Sequence, residues 1–261
     1  MIRVGIGGWT FEPWRGVFYP KGLPQARELD YASRNLTTIE INGTFYGTQK
    51  PESFRRWAAE TPDDFVFSLK GPRYATNRRV LGEAGESIER FFGSGVLELK
   101  QKLGPVLWQL PPTKAFDPQD FAAFLALLPP ALDGRPIRHV VEVRHQSFAA
   151  PTFIDLLRTR SVAVALVESD KLPLLADVTS DFIYARLEKT SEKVKTGYPP
   201  AALDAWAKRA QAWAKGSAPA DLATIAGRAG SKRKLDVFVY MISGAKVRAP
   251  AAARALLERL R

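Results

Sequence analysis

The chain has no cysteine in its 261 residues and only two histidines. The first absence excludes disulfides, thiolate nucleophiles and cysteine-ligated metals. The second leaves too few imidazoles for a multi-zinc centre, which needs several His and carboxylates converging on its ions. No stretch approaches ~18 consecutive apolar residues, so no membrane-spanning helix is expected. The opening Met1-Ile-Arg-Val-Gly-Ile-Gly7 runs straight into a strand pattern, without a basic n-region, an apolar h-region or a cleavage site. A cytoplasmic location is the expectation. There is no G-x-S-x-G turn, and His145 has only Ser147 nearby on a loop, so a serine hydrolase is not expected. Glycines 5, 7 and 8 do not complete the G-x-G-x-x-G dinucleotide turn.

What is present suits a soluble globular protein, with 46% hydrophobic and 25% charged residues. The length fits one α/β barrel or two smaller domains. The formal net charge of +11 is unevenly placed: residues 186–261 hold 16 Lys/Arg against 6 Asp/Glu, and residues 1–185 are close to neutral. Such a balance favours anionic partners, either phosphorylated metabolites or nucleic acid, with a merely solvated basic surface as the plainer reading.

Strand-like and helix-like segments alternate along the chain. Strands are expected at 2–7, 37–42, 65–70, 106–110, 139–144, 162–168, 182–187 and 236–242. Amphipathic helices are expected at 25–35, 51–60, 119–128, 151–160, 201–215 and 250–260. A further helix over 83–103 should be interrupted at Gly93 or Gly95. The link 170–181 contains Pro173 and little periodicity, so the sixth helix should be weak or missing. No linker breaks the composition, which predicts one domain over 1–261, a (β/α)₈ TIM-type barrel of the α/β class. A doubly wound open sheet is the alternative.

In such a barrel the site lies at the C-terminal ends of the strands and in the loops that follow. Two segments carry the strongest indication, Phe65-Val-Phe-Ser-Leu-Lys70-Gly-Pro-Arg73 and His139-Val-Val-Glu142-Val-Arg144-His145. Both are runs suited to buried strands that end in charge. The residues expected to carry chemistry are Lys70, Glu142, Arg144 and Glu40. Glu142 and Arg144 lie two apart on a strand and share one face, so the carboxylate should be held ionised, as a ligand or structural clamp. Lys70, at the end of a buried strand, is a candidate base or Schiff-base amine. The competing reading pairs it with Glu40 or Glu142 to close the barrel top.

Around these, ligand contacts are expected from Trp9, Asn42, Tyr46, Arg73, Gln109, His145, Asp170, Arg186, Tyr240, Lys246 and Arg248. The segment Ser243-Gly-Ala-Lys246-Val-Arg248-Ala-Pro250 leads into a helix whose first turn suits Pro250, a favoured place for a barrel phosphate site. The aromatics Trp9, Phe11, Trp14, Phe18 and Tyr19 should pack the first loop on the rim, or else form a stacking wall for a ring. The dense basic run Lys232-Arg-Lys234 precedes the last strand and belongs to the opposite face. No resident metal or cofactor is expected; a single Mg²⁺ or Mn²⁺ on Glu40, Glu142 and Asp170 is the alternative.

Several motifs in order resemble one family: Gly5-Ile-Gly-Gly-Trp9, Trp14-Arg-Gly-Val-Phe-Tyr19-Pro20, Ile39-Glu40-Ile-Asn42-Gly-Thr-Phe45-Tyr46, the strand ending at Lys70, Gln109-Leu-Pro-Pro112, Val141-Glu142-Val-Arg144-His145 and Phe182-Ile-Tyr184-Ala-Arg186-Leu187. Over nearly its full length the chain resembles the domain of unknown function 72, or YecE-like, family. The resemblance implies a TIM-type barrel and no settled activity. A distant likeness of that family to endonuclease IV and sugar-isomerase barrels implies phosphodiester or sugar chemistry by fold analogy only. Members often have Thr-His where this chain has Thr76-Asn77, and Arg-Leu-His-Gly where it has Arg186-Leu-Glu-Lys189. Many also have an asparagine-rich turn in place of Met241-Ile-Ser-Gly-Ala245. Roles resting on those histidines and asparagines do not transfer.

The leading expectation is a barrel enzyme acting on an anionic ligand, whether phosphorylated, sugar or nucleotide, by metal-independent hydrolase, lyase or isomerase chemistry. The alternative is a nucleic-acid-binding protein that uses the basic top face without catalysis. A third reading keeps the mouth filled by ion pairs for a structural or interaction role. Oligomeric state is left open, and no membrane partner is expected.

Overall fold

A computed structural model describes residues 1–227 and 233–261. Its centre is a closed parallel barrel of eight strands: β1 (Ile2–Gly7), β2 (Thr38–Ile41), β3 (Val66–Lys70), β4 (Leu103–Gln109), β5 (His139–Glu142), β6 (Ala163–Glu168), β7 (Phe182–Leu187) and β8 (Asp236–Met241). Strands neighbouring in sequence pair with one another, and β8 closes on β1 in the register Ile2 with Val237 through Ile6 with Met241. All eight strands lie where apolar runs predicted them. Lys232 of the basic run lies outside the described residues.

The outer layer is α1 (Glu28–Asn35), α2 (Pro51–Ala59), α3 (Gly85–Gly93), α4 (Pro118–Leu127), α5 (Pro151–Thr159), α6 (Pro200–Ala214) and α7 (Ala249–Leu260). Four of these begin at a proline, whose fixed φ and missing N–H suit the first helical position. Asp117 caps α4 by accepting from the N–H groups of Gln119 and Asp120 at 2.9 and 3.1 Å. The interruption expected in 83–103 is present: α3 stops at Gly93, and a tighter 3₁₀ segment, Val96–Lys102, leads into β4.

The sixth helix is missing. Between β6 and β7 the chain runs without helix or strand, and Leu175 and Ala176 are buried in the helix's place. The buried Asp177 carboxylate accepts from the N–H groups of Ile225 and Ala226 at 2.8 and 2.9 Å. Those bonds fasten the connection to the segment that approaches β8.

Two apolar layers result. Between barrel and helices, large side chains such as Trp108, Trp213, Phe54 and Phe121 form one continuous core. Inside the barrel a smaller core joins Leu107, Val140, Ala163, Ala165, Val167, Phe182, Tyr184, Phe238 and Tyr240. Bulky aromatics on β7 and β8 face small residues on β6 and β1. At Gly5 a Cβ would stand 1.9 Å from the Thr38 carbonyl oxygen, so no larger residue fits where β1 meets β2. This interior core raises the polar side chains at the next inward positions to the C-terminal rim.

Candidate functional site

Alternation along each strand decides which side chains reach the rim. On β7, Phe182 and Tyr184 belong to the interior core, so Arg186 is the next inward residue. By the same period Glu40 follows Thr38 on β2, Lys70 follows Ser68 on β3, and Glu142 follows Val140 on β5. The layer beneath is hydrogen-bonded across the barrel: Tyr240 to Thr38 at 2.8 Å, and Tyr184 to Ser68 at 2.9 Å. Tyr184 also donates to Glu40 Oε2 at 2.6 Å.

Arg186 is the hub of the rim. Its Nε and Nη2 bind Glu40 Oε2 and Oε1 at 3.1 and 3.0 Å, a two-pronged contact, and Nη1 donates to Glu142 Oε2. Glu142 Oε1 accepts from Gln109 Nε2 and from Arg144 Nε, each at 2.7 Å. Both carboxylates are fully buried and Arg186 is 2% exposed. Burial alone would push the Glu142 carboxyl up, but Arg186, Arg144 and Lys70 outweigh it and hold it below the usual range. Burial also works against the Arg186 charge, yet Glu142 and Glu40 raise its pKa further. Glu142 and Arg144, two residues apart, meet on one face as the strand period implies.

Lys70 does not join this network. Neither Glu40 nor Glu142 forms an ion pair with it, because Arg186 occupies both carboxylates. Its amine stands 3.9 Å from the centre of the Phe45 ring. Burial, reinforced by Arg186 and Arg144 and opposed by Glu40 and Glu142, pulls this amine down to about 8.

Above the rim opens a cavity of about 700 Å³. Of the expected residues, Trp9, Asn42, Tyr46, Lys70, Gln109, Arg144, Arg186 and Lys246 line it. Glu40, Glu142 and Tyr240 lie beneath its floor, wholly buried. Four others stand away from the lining. Arg73 turns outward and lies over the Tyr46 ring at 5.9 Å. His145 caps the turn beyond β5, with Nδ1 2.8 Å from Ser147 Oγ and accepting the Ser147 N–H at 3.2 Å. Asp170 is exposed and pairs with Lys189 at 2.5 Å. Arg248 immediately precedes α7, outside the lining.

The carboxylate trio considered for Mg²⁺ or Mn²⁺ is therefore not assembled, since Asp170 is committed to Lys189 and the other two to Arg186. Among the described residues no group of three or more His, Asp or Glu side chains is placed to hold a metal ion.

The lining also contains residues that sequence reasoning did not place there. Gly7, Gly8, Thr10, Gln49, Trp57 and Met241 contribute to it, while Ser243 lines it from the loop after the last strand, where the sequence places it. Trp14, Phe18 and Tyr19 pack the first loop as expected, and Trp14 Nε1 donates to the Lys246 carbonyl at 2.8 Å, tying that loop to the one after β8. Trp9 stands edge-on to Trp57 at 5.2 Å. Glu188, the next inward position after Arg186, is half-buried with Oε1 4.0 Å from Arg186 Nη1. Burial raises its carboxyl above the ordinary range, against the pull of Arg186. The period of two that selects Arg186 would have found it.

The fold and its mouth define a (β/α)₈ barrel protein with a cation-lined cavity at the C-terminal ends of its strands. The chain belongs to the family described as Protein of unknown function DUF72, whose model matches residues 3–261. It is 31% identical over 150 residues to the UPF0759 protein YecE of Escherichia coli K12, a match covering 58% of this chain and 51% of that protein. With the UPF0759 protein YunF of Bacillus subtilis it shares 26% identity over 161 residues, 59% and 55% of the two chains. The chain thus spans about half the length of the curated relatives it matches. A crystal structure of a DUF72 family protein from Thermotoga maritima superposes with a TM-score of 0.72 at 23% identity, covering 98% of this chain and 97% of that one. That likeness shows the fold. No helix among the described residues is long and apolar enough to cross a membrane.

Proposed function

We propose that this protein is a barrel enzyme whose mouth takes an anionic small molecule, with Lys70 as the reactive or binding amine. One observation carries the reading: among the described residues every charged side chain lining the cavity is a cation, namely Lys70, Arg144, Arg186 and Lys246. The carboxylates of Glu40 and Glu142 are sealed below and already matched by Arg186 and Arg144, and the half-buried Glu188 lies 4.0 Å from Arg186, outside the lining. Lys70 and Lys246 instead face aromatic rings, Phe45 and Phe11, so their charges await an anion. The cavity volume suits a small ligand rather than a polymer strand, and Trp9, Trp57 and Tyr46 supply ring surface for a base or sugar.

The nucleic-acid reading draws on the basic balance of residues 186–261, but among the described residues of that segment only the cations Arg186 and Lys246 line the cavity. Thermal melts with inorganic phosphate, AMP and a short oligonucleotide test the choice. Phosphate and AMP should raise the melting temperature of the parent and do so far less for Lys246→Met. Oligonucleotide affinity falling steeply with salt, with no response to AMP, would favour the polymer-binding alternative.

A further inference from the structure

Among the described residues two lysine side chains are buried, and their amines are treated differently. Lys102 donates to the carbonyls of Ala58 and Thr61, each at 2.6 Å, and its amine is fully used. Lys70 is also buried, yet among the described residues no hydrogen bond or ion pair reaches its amine. The amine lies at the cavity wall against the Phe45 ring. Its backbone is held firmly: the Lys70 carbonyl accepts from Thr44 Oγ1 at 2.7 Å, and the strand pairs on both sides. A structural lysine would be used as Lys102 is.

We propose that Lys70 is a covalent catalyst that forms an imine with an aldehyde or ketone bearing a phosphate or carboxylate. The inference rests on the reading of the mouth as an anion site and adds the reacting group of the substrate. The lone pair of the neutral amine attacks the carbonyl carbon, a C–N bond forms, and one amine proton passes to the oxygen to give the carbinolamine. The C–O bond then breaks, and the oxygen leaves as water with the second amine proton. No oxidant or metal enters the balance. The surroundings favour the step: burial and the nearby guanidinium groups of Arg186 and Arg144 bring the amine to about 8, so a useful fraction is unprotonated near neutrality. Arg144 and Lys246 on the same wall offer charge to the anionic end of the substrate.

Reductive trapping on the unmodified protein tests this without relying on a variant that must fold. The protein is incubated with glycolaldehyde phosphate and cyanoborohydride at pH 7.5, digested, and mapped by mass spectrometry. An amine titrating at about 8 is unprotonated in roughly a quarter of molecules at that pH, against about one in a thousand for an ordinary lysine. Lys70 should therefore label at least ten-fold faster than any other lysine, with inorganic phosphate slowing the reaction and uncharged glycolaldehyde reacting less. Labelling spread over exposed lysines and sparing Lys70 would overturn the imine proposal. If phosphate still raises the melting temperature in that case, the anion site stands alone. If instead Lys70 labels fastest with both aldehydes and phosphate does not raise the melting temperature, the amine is reactive and the anion reading fails.

Discussion

Arg186 on β7 grips Glu40 on β2 across the mouth of the barrel, through two parallel hydrogen bonds of 3.0 and 3.1 Å between strands that are not sheet neighbours. The same guanidinium reaches Glu142 on β5, so one side chain ties three strands at the rim. Arg186→Met would leave the buried Glu40 without an ion-pair partner and Glu142 paired with Arg144 alone. Removing one partner of a buried network costs about 3–5 kcal/mol. In a chain of this size that corresponds to a fall in melting temperature of roughly 10 °C. Adding Glu40→Gln to Arg186→Met should recover part of the loss, because the stranded charge is then gone. Calorimetric melts of the single and double variants measure both effects.

The barrel was legible because its strands are buried on both faces and so read as near-continuous apolar runs ending in charge. Residues 66–70 and 182–187 show this most plainly. Even the missing sixth helix follows from Pro173 and the lack of periodicity before β7. The site was legible in part. Strand period places Glu40, Lys70, Glu142 and Arg186 on one rim, but it does not say which cation meets which carboxylate. Arg186 wins both because its planar fork can satisfy two carboxylates at once, which a lysine ammonium cannot do with the same geometry. Loop residues fared worse. His145, Asp170 and Arg73 follow strand ends closely, yet His145 caps its own turn, Asp170 pairs with Lys189 and Arg73 lies over the Tyr46 ring, so none lines the cavity, and sequence spacing carries no record of that. Gly7, Gln49 and Trp57 reach the lining from positions with no charge to mark them.

Lys70 should leave a trace in the pH dependence of stability. Its folded value of about 8 lies below the ordinary 10.5. Between those two values the unfolded chain binds more protons than the folded one, so stability rises with pH through that window. The full amplitude is about 3 kcal/mol. Lys70→Met removes the penalty, and its melting temperature at pH 7 should equal or exceed that of the parent. The difference between the two proteins should shrink from pH 8 to 10.5. A large destabilisation of Lys70→Met at pH 7 would show instead that the amine is structural. Urea melts at four pH values across the window are sufficient.

His139 provides an independent pH signature at the other end of the barrel. Its Nδ1 accepts from Trp108 Nε1 at 3.1 Å, and Nε2 lies 2.8 Å from the Pro129 carbonyl oxygen, a pattern that fits the neutral ring protonated at Nε2. Burial pulls the imidazole down to about 4 from 6.5, with the Pro129 carbonyl opposing. As pH falls from 6.5 to 4 the unfolded chain takes up the proton first, so stability falls through that window by about 3 kcal/mol. His139→Gln, which keeps a donor toward Pro129, should flatten the slope relative to the parent, whatever its own stability at pH 7. Denaturant midpoints between pH 7 and 4.5 read this directly.

The loop after β8 is shaped by two successive residues in the left-handed region, Ser243 at φ 64° and Gly244 at φ 60°. Ser243 lines the cavity, as does Lys246 three residues on. At Gly244 a Cβ would lie 2.6 Å from Thr190 Oγ1 and 2.7 and 2.8 Å from the carbonyl oxygens of Glu188 and Thr190. Two of these contacts are backbone, so Gly244→Ala must push the β8 loop away from the β7 loop. That movement would break the bond from the Ala245 N–H to the Thr190 carbonyl and shift Ser243 and Lys246 together. The expected result is a melting temperature lower by several degrees, from a loss of roughly 2 kcal/mol, together with a much smaller phosphate-induced rise. Ser243→Gly is the control, because glycine accepts a positive φ and relieves about 1 kcal/mol of strain. It should match or exceed the parent in stability and keep the phosphate response. A Gly244→Ala protein with an undiminished phosphate response would remove the β8 loop from the anion site and leave Lys70 and Arg144 to hold the ligand.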